Sequence, residues 1–271
     1  MLGPLQKMRT RLDNPVNYEL LLADQSIGLN AFIGQAIKFT YTGQIFCVHC
    51  NRRIKKSFNQ GYCYPCFISL AQCDMCIMKP ETCHFDAGTC REPDWGQTFC
   101  FQPHVIYLAN SSGIKVGITR QTQLPTRWID QGAVQALPIF KVPSRYVSGL
   151  VEVVFAKHIS DKTSWQQMLK SRSEPIDLIT KRDELTDLCA TDLQGISDRF
   201  GITPIKRMDD ESVVDIHYPI DVYPGKIQSF NLDKNPEVSG VLQGIKGQYL
   251  LLDSGVINIR KFSGYEVEFW V

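Results

Sequence analysis

The sequence predicts an α+β chain: a small antiparallel sheet with helices, preceded by zinc-ribbon-like cysteine knuckles and flanked by β-rich terminal segments. Three observations lead there. Glycine-punctuated runs of β-branched and aromatic residues occupy both ends. Nine of the ten cysteines fall between Cys47 and Cys100. The middle of the chain passes from two short apolar strands to apolar residues at helical spacing. These changes in texture set the boundaries at 1–46 for an N-terminal β-rich segment and 47–103 for a cysteine-rich metal-binding region. An α/β domain with a helical extension then covers 104–200, and a C-terminal β-rich domain covers 201–271.

Taken in order, residues 17–46 carry Tyr, Phe, Ile and Thr broken by Gly28, Gly34 and Gly43, which reads as strands and turns. After the cysteines, "HVIYLANSSGIKVGITR" (104–120) reads as a hairpin. Apolar residues at Leu150, Val153, Val154 and Ala156 recur near helical spacing, so a helix is expected from about Ser148; the β-branched valines there also suit a strand. Residues 173–200 mix charges with Ile176, Ile179, Leu185 and Leu188, the pattern of one or two surface helices. Past Gly201, "IKGQ" and "DSG" separate apolar runs as hairpin turns do, which predicts a small antiparallel sheet or barrel. The sequence by itself does not decide whether the two β-rich ends fold together.

A formal net charge of +1 gives no global case for nucleic acid, membrane or an acidic partner, so any such case rests on local clusters. No apolar run approaches the roughly 20 residues that span a bilayer. The opening "MLGPLQKMRTRLDN" lacks the apolar stretch of a signal peptide, and a reducing, cytoplasmic setting is expected. In that setting clustered cysteines favour metal over disulfides.

Cys47 and Cys50, then twelve residues, then Cys63 and Cys66 make two C-x-x-C knuckles. Each turns two thiolates toward one point, and two knuckles supply the four ligands of a closed, structural zinc site. A redox C-x-x-C is the lesser alternative. Between them, Arg52, Arg53, Lys55 and Lys56 form a basic loop that could contact phosphates, with Phe58 or Tyr62 to stack a base; a plain solvated loop fits equally. A second ligand set is expected at Cys76, Cys83, Cys90 and Cys100, with Cys73, His84 or His104 able to replace one member. Four cysteines also suit an iron–sulfur cluster; zinc is preferred because the neighbouring site is zinc-like.

The hairpin alone is more simply structural, but the residues C-terminal to it add chemistry. "VIY" at 105–107, "KVG" at 115–117, Arg127 in "LPTRWIDQGA" and Glu152 in "SGLVEVV" together resemble the GIY-YIG nuclease superfamily, in particular divergent members whose second motif reads K-hydrophobic-G. The resemblance covers roughly residues 104–170, and its motifs are short. It implies a small sheet carrying both motifs, an arginine on the next helix and a metal-binding glutamate on a later one. Carried over, Tyr107 is the general base, Arg127 offsets charge on the phosphorus, and Glu152 holds Mg²⁺ or Mn²⁺. Lys115 and Arg120 hold the phosphate backbone. Val105 stands where that family has glycine, and Lys115 where it has its second tyrosine. With its cysteine block, the chain also looks like a bacterial protein family of no established activity. The expected function is therefore a nucleic-acid-processing protein, a divalent-metal-dependent endonuclease with one or two structural zinc ions, acting on RNA or DNA. The alternatives are a non-catalytic nucleic-acid-binding protein on the same scaffold and, less favoured, a protein-interaction scaffold.

Overall fold

The computed structural model describes residues 1–159, 164–200 and 205–271. Residues 160–163, part of the stretch after Ser148, and 201–204, where the C-terminal β-rich segment begins, lie outside the described residues. The fold is α+β, and every paired strand among the described elements is antiparallel.

The two β-rich ends share one sheet. Its order runs Leu2–Pro4, Tyr265–Trp270, Ala36–Phe46, Glu237–Lys246, Tyr249–Leu252 and Gly255–Asn258, with Arg53–Ile54 paired to the end of Ala36–Phe46. The last three strands are the expected hairpins: Lys246 pairs with Tyr249 across the first turn, and Leu252 with Gly255 across the second. A smaller sheet of Arg9–Arg11, Asn17–Leu22 and Gln25–Gly28 accompanies them. Asn17–Leu22 alternates half-buried and buried residues, the period-two signature of a strand with one core face.

The middle of the chain forms its own sheet in the order Lys206–Arg207, Gln135–Val142, His104–Asn110 and Ile114–Arg120; Val214–Asp215 also pairs with Gln135–Val142. His104–Asn110 is buried along its whole length, because cores lie on both faces. Ile106 and Leu108 face helices, packing with Val116, Val147, Val151, Phe155, Leu178 and Leu185. Tyr107 and Ala109 face the other way and join Trp128, Ile129 and the terminal sheets in the largest core. Burying both faces removes water from the strand entirely, which is why its sequence is apolar almost without interruption.

The expected helix runs over Arg145–Ala156, beginning three residues before Ser148 because the Ser144 hydroxyl caps it by accepting from the Val147 N–H at 3.3 Å. Its inward stripe is Val147, Val151, Val154 and Phe155; Val153, counted by sequence among the apolar face, points to solvent. Residues 173–200 supply one long helix, Leu178–Phe200, whose buried stripe is Leu178, Arg182, Leu185, Cys189 and Leu193. Ile179 and Leu188 of the expected apolar set are exposed. Among the described residues no helix is long and apolar enough to cross a membrane.

Candidate functional site

The first cysteine group is assembled by local chain geometry. Cys47 directly follows the long Ala36–Phe46 strand, and Cys63 sits one residue ahead of the short Tyr64–Ser69 helix, which carries Cys66. Asn51, at positive φ, lets the first knuckle turn back, and the Cys63 N–H donates to the Cys47 sulfur at 3.2 Å. The four sulfurs lie within 4.8 Å of one another, and Cys50 Sγ stands 3.8 Å from Cys63 Sγ. A tetrahedron with zinc–sulfur arms of about 2.3 Å has edges of about 3.8 Å, so this donor set fits one zinc-sized ion. Burial opposes the Cys47 thiolate, but N–H groups of Cys50, Cys63 and His49 and the Cys50 thiol together draw its pKa down to about 6. Burial and the three neighbouring thiols push Cys66 up instead. One thiolate surrounded by thiols is the arrangement a cation completes.

Arg52, Arg53, Lys55 and Lys56 are all exposed between the knuckles, Arg53 on the short Arg53–Ile54 strand. Phe58 is less available than its position suggested. It packs against Phe67 at 5.7 Å and Tyr64 at 5.4 Å, with Lys56 Nζ 5.2 Å above it.

The second group is looser. Cys76, Cys83, Cys90 and Cys100 line one small pocket together with Asp74, His84, Trp95 and Phe101. All ten cysteines are reduced, and Cys73 packs with the first group rather than here. Asp74 is committed to Arg91 at 2.7 Å, and His84 Nδ1 meets Thr89 Oγ1 at 2.8 Å. His104 is fully buried, its Nδ1 2.7 Å from the Gln102 carbonyl oxygen; burial lowers its pKa to about 4, so it stays neutral.

Of the residues expected to be catalytic, Arg127 and Glu152 line one cleft with Arg120. Ile114–Arg120 is the edge strand of its sheet, so the cleft receives side chains from the Thr126–Asp130 helix and from the Arg145–Ala156 helix at the same edge. Four further charges reach it that were not assigned to it from the sequence: Lys7, Asp130, Arg145 and Arg260. Lys7 is ion-paired with Asp130, and Gln248 Nε2 donates to Asp130 Oδ1 at 2.9 Å. Arg260 Nε donates to Gln60 Oε1 at 2.9 Å, which ties the cleft wall to the knuckle loop. Five cations thus surround two carboxylates, giving a local surplus of positive charge that the net charge of +1 conceals.

Tyr107 lies beneath this cleft with no exposed surface. Its hydroxyl donates to Gln131 Oε1 at 2.9 Å, and its ring meets Trp128 edge-on at 6.1 Å. Burial raises the phenol to about pKa 12 against the pull of the adjacent Arg127 guanidinium. Directly across the ladder is Gly117, the glycine of "KVG". A β-carbon there would come within 2.5 Å of Tyr107 Cζ, so the motif glycine leaves the room this ring occupies. Lys115 pairs with Ala109 on the same ladder; it is buried and is not among the residues lining the cleft.

The sequence model of a family described as protein of unknown function, DUF2797, matches residues 34–267, and the chain belongs to that family. No curated protein and no solved structure matches the chain.

Proposed function

We propose that this chain is a nucleic-acid-processing protein: its cleft takes a phosphodiester backbone and hydrolyses it in the manner of GIY-YIG nucleases, while the Cys47, Cys50, Cys63 and Cys66 centre holds structural zinc. The observation that carries the reading is the meeting of Arg120, Arg127 and Arg145 with Glu152 in one cleft above Tyr107. Guanidinium forks match phosphate oxygens, and a cleft rich in them offsets the charge that builds on phosphorus during in-line attack. For a weakly held hard cation the cleft offers two carboxylates, of which Asp130 is already paired with Lys7. Glu152, the carboxylate that the resemblance puts in this role, lines the cleft and would hold Mg²⁺ or Mn²⁺, with water and substrate completing the shell. Such an ion supplies Lewis acidity toward a phosphate oxygen. Tyr107, sealed from solvent, acts here as a positioning residue: its hydroxyl donates to Gln131 beside the Arg127 guanidinium, whose charge it feels. Arg52, Arg53, Lys55 and Lys56 extend the phosphate contacts past Arg260 and Gln60.

One observation favours a second reading, binding without cleavage. A general base must reach a water molecule, and the Tyr107 hydroxyl is both buried and already donated to Gln131. The two are separated by incubating the protein with labelled RNA and DNA pools and Mn²⁺, beside Glu152→Gln. The nuclease reading expects divalent-dependent products that vanish in the variant while binding persists. Binding with no products from either protein selects the second reading, and no binding at all overturns both.

A further inference from the structure

We infer that Cys76, Cys83, Cys90 and Cys100 hold a second zinc-class ion, and that this ion fixes one wall of the cleft and Arg145 within it. The four thiols line one small pocket although they are spread over 25 positions of chain, and none is used in a disulfide. At the first centre the sulfurs already stand at ligand spacing. At the second, among the described residues, no three of these cysteines lie within the 4.8 Å that the first set satisfies; Asp74, Cys76 and His84 do. Asp74 is held by Arg91 and also caps the Met75–Met78 helix, accepting from the Cys76 N–H at 3.4 Å, so its carboxylate shapes the loop instead of completing the shell. Binding is an acid–base exchange without redox chemistry: four thiols release four protons to solvent, and Zn²⁺ with four thiolates carries a charge of −2. Arg91 and Arg145 flank the cavity and its neighbouring loop, and complement that charge.

The link to the cleft is direct. Arg145 is gripped at two points, each at or next to a proposed ligand: its backbone N–H donates to the Cys100 carbonyl oxygen at 2.8 Å, and its guanidinium donates to the Ile77 carbonyl oxygen, one residue past Cys76. Ile77, Met78 and Pro80 of the same loop line the cleft. Beneath them Gly149 lets the Arg145–Ala156 helix press against the loop backbone; a β-carbon there would lie 2.6 Å from the Glu81 nitrogen. Drawing Cys76 and Cys100 onto one ion therefore tightens both anchors of Arg145 and the cleft wall together.

The metal arm of the test is independent of the function proposed above. Wild-type protein is reconstituted with Co²⁺, and metal content is measured by elemental analysis beside the sulfur-to-cobalt absorption; two four-thiolate ions per chain are expected. Cys83→Ser and Cys90→Ser should each bind one, and Cys90→His, which keeps a soft ligand, should restore two. One ion in the wild type, or two in both serine variants, overturns the site. For the coupling, hydrogen exchange at the Arg145 amide should be slow in the wild type and in Cys90→His, and faster by at least roughly tenfold in Cys90→Ser. An unchanged rate after loss of the ion overturns the coupling. A fluorescein-labelled single-stranded 12-mer provides the link to the cleft: Cys90→Ser and Arg145→Gln should each weaken it by roughly tenfold, and the double variant by no more than either. Additive losses overturn the shared mechanism. If the wild type does not bind the 12-mer, the functional reading fails while metal content and exchange still decide this one.

Discussion

Replacing Gly117 by alanine puts one methyl group into the space that the Tyr107 ring fills, and the cost can be worked from the surroundings. The new carbon would stand 2.5 Å from Cζ, 2.6 Å from Oη and 2.8 Å from Cε2 of Tyr107. Gly117 is not among the glycines at positive φ, so the backbone itself accepts alanine. The ring must yield, but it has no exposed surface, Trp128 lies against it, and its hydroxyl is held by Gln131. Overpacking of this kind costs about 1–3 kcal/mol, and straining a buried hydrogen bond adds about 1 kcal/mol. Against this, alanine restricts the unfolded chain and returns about 0.4–1 kcal/mol. The net expectation is a loss of about 1–3.5 kcal/mol. In a Tyr107→Leu background the three clashing atoms are absent and only the gain remains, so the same substitution should be neutral or slightly stabilising. Urea unfolding followed by far-ultraviolet circular dichroism, with zinc saturating, measures all four corners of the cycle. Equal effects of Gly117→Ala in both backgrounds, or a neutral effect in the wild type, would refute the contact as the reason this position is glycine.

The same geometry sets further expectations. Cys63→Ser should lose the ion of the first centre and lower the thermal midpoint by several degrees, because binding there contributes to folding free energy; elemental analysis and calorimetry check both. Neutralising Arg52, Arg53, Lys55 and Lys56 together should weaken oligonucleotide binding alike across sequences and flatten its dependence on salt, as titrations at several ionic strengths would reveal. Lys246 has no exposed surface; its ammonium donates to the Met168 carbonyl oxygen at 2.9 Å and lies near the rings of Tyr218 and Tyr223. Burial, with Arg172 adding, lowers its pKa to about 8. Between that value and the ordinary lysine range the unfolded chain holds more protons, so this residue's contribution to stability rises with pH. Wild type should therefore gain about 2 kcal/mol on Lys246→Met between about pH 7.5 and 9.5. Parallel stability curves for the two proteins would contradict a buried ammonium.

How far the sequence was legible depends on how far apart the partners are along the chain. The first cysteine centre could be read directly because each knuckle is made by four consecutive residues, whose turn geometry converges two sulfurs whatever surrounds them. The hairpins at "IKGQ" and "DSG" were equally local, since a glycine turn between two short apolar runs marks a strand pair by itself. The Tyr107 to Gly117 pairing also came from the short hairpin between them. The cleft was only half legible. Arg120, Arg127 and Glu152 lie within 33 residues of one another, but Lys7 and Arg260 enter from opposite ends of the chain, brought in by terminal strands that share a sheet. Nothing in their neighbourhoods along the sequence distinguishes them from other surface cations. Tertiary structure alone decided that Tyr107 is sealed under the cleft, and that Lys115 pairs beside it without lining it. Which face of a strand meets water depends on what packs over it, and here both faces of His104–Asn110 are covered by elements distant in sequence.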